Sequence, residues 1–469
     1  MKKLSKLQLD KKPDREPNID RQTWETFYNS SQPTIALLHY YELIDDFLDK
    51  INISLETFCK EFVGSWMFGY VNALKQVGVR TVLFCISARV DRPSRFIHEP
   101  TGTRICVLPP PQIYRAFRAM QPKSLLDRAS EASSFEDVQD KNGIRHSLLL
   151  GLRDLARSLK TYQSTPLRLL ARELRHEKCR AILCQEYEYA RFDICVLLGR
   201  MMRLPVFATF QGGDKSQSLL EIPLRQLSIR GCMGLIIATQ SEIQRVHTEY
   251  GIPFNKIARI FNPLDVATWQ ALDRGEARAA LGIPLDARVV AWHGRVEIER
   301  KGLDILLQAW QQICCDRPDQ DLRLLLVGTG SDAGRFRQRI DDMQLKGVMW
   351  LNEFVSDRTV IQRYLSAADV YTLPSRQEGF PVAPIEAMAC SLPVIAADAP
   401  GVSDILEGGE VSGGIVVPRG NVSALASALG RVLDDEAWGR ELGKNARYRA
   451  ESCFSPDTIG KQLRDILLT

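Results

Sequence analysis

Two glutamates separated by seven residues stand in the segment Ser375-Arg-Gln-Glu-Gly-Phe-Pro-Val-Ala-Pro-Ile-Glu386. Glu378 falls in a Gly-Phe loop and Glu386 in the first turn of an expected helix. Pro384 suits that first turn, because its missing N–H would have no intrahelical partner anyway. Backbone amides at the start of a helix offer a positive end to a diphosphate. Carboxylates on either side of that phosphate can accept hydrogen bonds from sugar hydroxyls. A first-turn glutamate can also simply complement the helix dipole. The chemical reading therefore leans on the loop, and on the strand at 370–373 that delivers it to a sheet edge.

A second constellation, His293-Gly-Arg295 through Lys301-Gly302, closes the strand at 289–293. Gly294 permits a tight turn, and two cations six residues apart flank the entry to the next helix. Arginine gives phosphate a forked contact and lysine a point charge. The plainer alternative is a solvated basic loop, since Glu299 and Arg300 share it; its place on a first β-α turn favours phosphate.

The elements that must position these groups form two alternating series. Continuous apolar runs at 34–40, 81–87, 103–108, 181–185, 206–210, 234–239 and 258–261 read as strands of a parallel sheet covered on both faces. Helices are expected at 55–76 and 166–177, and a polar loop or insertion at 122–143. From residue 288 the strands are 289–293, 322–327, 348–354, 370–373, 393–397 and 414–417. Helices between them run over 303–315, 334–345, 359–368, 384–390 and 422–433. Six such repeats make a doubly wound Rossmann-like domain. The expected organisation is a polar arm at 1–30, a first α/β domain at 31–262 and a linker at 263–287. A second domain follows at 288–450, and a last helix within 451–469 has the option of crossing back to the first. Ligands of such sheets bind beyond the carboxyl ends of the strands, here in a cleft between two facing domains.

With these residues in place, the second half resembles the donor domain of retaining glycosyltransferase family 4, the group 1 glycosyltransferases. The resemblance rests on Gly294-Arg295…Lys301-Gly302, Val327-Gly-Thr-Gly330, Pro374-Ser-Arg-Gln-Glu-Gly-Phe380 and the pair Glu378…Glu386. It covers about residues 255–450 and implies a GT-B fold with a nucleoside-diphosphate sugar as hexosyl donor. It further implies that Arg295 and Lys301 hold the diphosphate, Glu386 the ribose and Glu378, the catalytic candidate, the donor sugar. The backbone of Gly379, Phe380, Pro381 and Val382 would line the phosphates. Two departures stand out: Pro381 replaces a glycine and removes a backbone donor, and Trp350-Leu-Asn-Glu-Phe-Val355 lacks the usual glycine.

In the first domain, Phe207-Ala-Thr-Phe-Gln-Gly-Gly-Asp214 ends a strand where the family commonly carries a histidine. Gln211 stands there instead; it can hydrogen-bond a sugar hydroxyl but cannot act as a general base at neutral pH. Asp214 reads equally as a turn residue or an acceptor contact. His39 ends the first strand and could reach the cleft, although a lone histidine is more often structural. The family's Gly-Gly loop is missing, with Gly64-Ser-Trp-Met as the nearest equivalent.

Competing signals are weaker. Gly328-Thr-Gly-Ser-Asp-Ala333 fits a dinucleotide fingerprint, with Glu353 about 20 residues beyond. That fingerprint belongs on the first β-α turn of its unit, and here it follows the second strand. Asp319-Gln-Asp321 precedes a strand and reads as a turn. No Cys or His spacing fits zinc, and cations with a helix end can neutralise phosphate, so neither metal nor cofactor is expected. The net charge of +4 on 469 residues argues against nucleic acid as a partner. The eleven cysteines are scattered and read as reduced thiols. The basic start lacks a signal-peptide core and no run is long enough to span a bilayer. A cytoplasmic protein is expected, with peripheral membrane contact left open. The expected activity is metal-independent, front-face sugar transfer to a hydroxyl of a glycan, lipid or small molecule. The rival readings are a GT-B-like sugar-nucleotide epimerase and an inactive sugar-nucleotide-binding relative.

Overall fold

The computed structural model describes residues 32–51, 53–62, 66–119, 159–212, 217–218, 220–355 and 357–468. The polar arm, the segment expected as an insertion, Gly64 and Asp214 lie outside the described residues.

Two sheets organise the chain. The first holds β1 (Thr34–Leu38), β2 (Arg80–Ile86), β3 (Ser94–His98), β4 (Thr103–Leu108), β5 (Cys179–Cys184), β6 (Val206–Thr209), β7 (Gly234–Ile236) and β8 (Ile257–Ala258). Their spatial order is β3-β4-β2-β1-β5-β6-β7-β8. Every pairing is parallel except β3 with β4. β3 corrects the sequence reading, which assigned no strand there. Ser94 to Ile97 are half-exposed at a sheet edge and His98 is buried, so the apolar run that marks a buried strand is missing. The helix expected over 55–76 is also corrected: it is two helices, Leu55–Lys60 and Trp66–Gln76.

The second sheet holds β9 (Arg288–His293), β10 (Leu322–Val327), β11 (Val348–Leu351), β12 (Val370–Leu373), β13 (Val394–Ala397) and β14 (Gly414–Val417). Its order is β11-β10-β9-β12-β13-β14, all parallel. The order reverses between β9 and β12, which places a topological switch point at their carboxyl ends. Those two strands deliver the loops that begin at Gly294 and Pro374.

Burial explains why the strands read so plainly. The residues of β1, β4, β6 and β12 are all buried, and alternate side chains enter different cores on the two faces. Between the sheets, the segment 263–287 holds the helix Arg274–Leu281 and buries Trp269 and Ile283 in the second domain's core. Arg278, fully buried, hydrogen-bonds Asp369 and four backbone carbonyls. The helix Glu436–Phe454 then leads into Pro456–Leu467, which returns to the first domain. Ile459, Leu463 and Leu467 are buried there among Tyr70, Ala73 and Leu74. Gly460 lies so close to the Ala73 carbonyl that no side chain fits between the two helices.

All eleven cysteines are free and eight are buried. Burial pushes the Cys85 and Cys179 thiols up to about 12. Among the described residues no helix is long and apolar enough to cross a membrane.

Candidate functional site

β12 ends at Leu373, and the chain leaves the sheet through Pro374 to Gln377 before reaching Glu378. This loop is fastened to the turn after β9. The Arg376 and Gln377 amides donate to the Arg300 carbonyl at 2.9 and 3.3 Å. The Arg376 guanidinium forks onto Asp304 at 2.8 and 2.7 Å. Burial opposes ionisation of Asp304, yet its hydrogen bonds and the Arg376 charge hold the carboxyl below its ordinary range. Gly302 makes the close approach possible. Its φ is +63°, and a Cβ there would collide with the Pro374 carbonyl.

The fastening brings Lys301 onto Glu378, with Nζ 2.8 and 3.0 Å from the two carboxylate oxygens. The Glu378 side chain is 7% exposed and that of Lys301 19%. Lys301 is thus a cation already engaged, and an anion that enlisted it would share it with Glu378 or draw it away. Arg295 is placed differently. Its side chain is 71% exposed and pairs with Glu297 at 3.1 Å, so it faces solvent rather than the glutamates.

Glu386 sits in the first turn of the helix Ala383–Ala389, with Pro384 beside it. Its carboxylate pairs with Nε2 of His293, the last residue of β9, at 2.8 Å. Sequence reasoning quoted His293 but gave it no role. The partner lies 93 residues away in the chain, and only the adjacency of β9 and β12 joins them. Tyr371 supports the arrangement by donating its hydroxyl to the His293 carbonyl at 3.3 Å. Burial, then the Glu386 charge, pushes that hydroxyl well above its usual pKa, so it remains a donor.

Gly379 and Phe380 form the contact between domains. A Cβ on Gly379 would lie 2.6 Å from the Gly212 Cα, and one on Gly212 would lie 2.8 Å from the Gly379 Cα. The two backbones touch only because neither residue has a side chain. Phe380 stacks on Phe261 with ring centroids 5.5 Å apart and leans on Phe454. Pro381 is buried and Val382 half-buried; the Val382 carbonyl starts the helix by accepting from Ile385 and Glu386. Lower down, Arg259 of the first domain reaches Asp404 and Glu407 of the second at 2.9 and 3.2 Å.

The end of β6 therefore faces the Glu378 loop, but the Gln211 side chain turns into its own domain. Its Nε2 donates to Thr209 at 3.1 Å and Asn262 at 3.2 Å, and its Oε1 accepts from Asn262 at 2.9 Å. Its amide N–H binds Glu186 at 2.8 Å. His39 is 1% exposed. Its Nδ1 accepts the Tyr41 N–H at 3.2 Å, which leaves the other ring nitrogen to carry the proton. Burial, then the nearby Arg191 charge, lowers its pKa well below the usual value. His39 is thus a buried, neutral ring just beyond β1, and among the described residues it makes no contact with Glu378 or Glu386.

The loop that imitates a dinucleotide fingerprint has a structural task. The Val296 amide donates to the Thr329 carbonyl, and Asp332 accepts from the Ile298 amide at 2.8 Å. It braces the turn after β9. Among the described residues no cluster of three or more His, Cys, Asp or Glu could hold a metal ion.

Two doubly wound domains meeting over such a site define a GT-B fold. Similar architectures are sucrose-phosphate synthase from Thermosynechococcus elongatus, with a TM-score of 0.63, 20% identity and coverage of 93% of this chain and 98% of that one. The Anabaena protein HepE, solved with UDP, gives 0.64 at 17% identity over 93% and 99%. Residues 287–435, within the second domain, match the family Glycosyl transferases group 1. In sequence the chain is 29% identical over 258 residues to a D-inositol 3-phosphate glycosyltransferase of Kineococcus radiotolerans, covering 52% of this chain and 59% of the relative. It is 30% identical over 202 residues to a GDP-mannose-dependent phosphatidylinositol monomannoside mannosyltransferase of Corynebacterium glutamicum, covering 42% and 51%. The chain thus spans little more than half the length of these relatives.

Proposed function

We propose that the protein transfers a hexosyl group from a nucleoside-diphosphate sugar to an acceptor hydroxyl, with retained anomeric configuration and without a metal. The observation that carries this reading is the pairing of Lys301 with Glu378 beside that of His293 with Glu386. Both occupy the switch point of the second sheet, opposite Gly212 of the first domain.

In this mechanism the donor diphosphate draws Lys301 toward itself, and Arg295 swings in from solvent. Together they stabilise charge on the departing phosphate, where preorganised cations help most. Glu378 is released to hydrogen-bond the donor sugar, and Glu386 holds the ribose. The C1–O bond to phosphate breaks as the acceptor oxygen bonds C1 from the same face. The acceptor proton passes to a departing phosphate oxygen. No side chain is needed as base, which agrees with a glutamine, already fully hydrogen-bonded, at position 211.

The test is release of nucleoside diphosphate from UDP-, GDP- and ADP-sugars, with and without acceptors. The similarity to inositol-phosphate and phosphatidylinositol enzymes puts phosphorylated polyols and polar lipids in the acceptor panel. Acceptor-dependent release, unaffected by EDTA and giving a retained linkage by NMR, supports the reading. Conversion of donor without acceptor would indicate an epimerase, and binding without turnover an inactive relative.

A further inference from the structure

We propose that His293 is a positioning residue that aims Glu386 at a ribose, so that the site discriminates ribonucleoside from dideoxyribonucleoside diphosphates. This rests on the donor reading above and adds to it a residue and a specificity.

An ionised carboxylate only accepts hydrogen bonds, so the 2.8 Å contact to Glu386 places a proton on His293 Nε2. The other ring nitrogen, Nδ1, is buried and has no partner. The imidazole is therefore directed at one oxygen of Glu386. The ring cannot readily turn away: it is 9% exposed, packs edge-on to Tyr371 at 5.4 Å and has its carbonyl held by the Tyr371 hydroxyl.

Glu386 has no other side-chain partner among the described residues, and its side chain remains 20% exposed. One oxygen is fixed by His293 and the other is left for a ligand. A glutamate on a helix surface otherwise samples several rotamers, and a polyol that must be met by two lone pairs gains from having that search done in advance. Here the N–H is directed at the carboxylate assigned to the ligand.

The experiment measures binding of UDP, GDP and ADP, and of their 2′,3′-dideoxy counterparts, by calorimetry on the full chain. Wild type should prefer the ribo form of whichever nucleotide it binds. His293→Ala should weaken that ribo form about tenfold and leave the dideoxy form unchanged. His293→Gln, which restores an N–H near the position of Nε2, should recover most of the loss. Equal weakening of ribo and dideoxy forms, or unchanged ribo affinity, overturns the inference and leaves the donor reading standing. Failure of wild type to bind any of the three diphosphates overturns the donor reading and the inference with it.

Discussion

Lys301 and Glu378 neutralise one another at 2.8 Å in a largely buried setting, so removing either leaves an unpaired charge. Glu378→Gln keeps the shape but loses the charge. It should lower turnover on the order of 10²-fold with a smaller change in donor affinity, whereas Lys301→Ala should weaken nucleoside-diphosphate binding as well. Unchanged turnover of Glu378→Gln in the diphosphate-release assay would remove it from the chemistry. His39 supports a different prediction. It stays neutral when folded, because its pKa is lowered, while the unfolded chain takes up the proton near 6.5. Stability present above pH 6.5 should therefore fall as pH drops below it, by about 1.4 kcal/mol per unit until the folded ring itself titrates. Urea melts between pH 7.5 and 5 should show a shallower decline for His39→Gln than for wild type. At this scale the glutamate pair was legible because its spacing is local, running from the loop into the first turn of the helix that follows. The partner of Glu386 was not, since nothing in the chain around His293 points 93 residues ahead.

The decisive element is the loop from Pro374 to Gly379, held by Arg376 on Asp304 and by Gly302 beneath Pro374. Asp304→Asn should release the loop without touching ligand. It should raise the KM for donor several-fold and increase hydrogen exchange of the Arg376 and Gln377 amides. Protection equal to wild type would show the clamp to be dispensable. Strands whose residues are all buried, such as β1, β4 and β12, were legible in the sequence from their largely apolar, β-prone runs. β3 was not, because an antiparallel edge strand keeps a polar face and carries no such signature. The helices around residue 63 merged for a related reason: apolar spacing continues across the break, and periodicity alone does not mark where one helix stops.

At the scale of the whole molecule, the domains are joined by the meeting of Gly212 with Gly379 and by the Arg259 ion pairs. Gly379→Ala cannot be accommodated without separating the backbones. Small-angle scattering should show a larger radius of gyration for this variant, and turnover should fall; an unchanged radius would mean that the contact yields locally. The two-domain plan was legible as two runs of β-α alternation, but which surfaces touch was not, because contact between glycines leaves no compositional trace. The returning helix Pro456–Leu467 supports one more prediction. Leu463 is fully buried among first-domain residues, so Leu463→Ala should cost about 2–5 kcal/mol in thermal or urea unfolding. The same helix imposes an order on biosynthesis. The first domain leaves the ribosome before the second, yet its core lacks Ile459, Leu463 and Leu467 until translation has passed the whole of the other domain. The second domain, encoded later, has its sheet complete at β14 and its covering helices soon after. A nascent chain thus carries an open apolar face on its first domain throughout synthesis of the second.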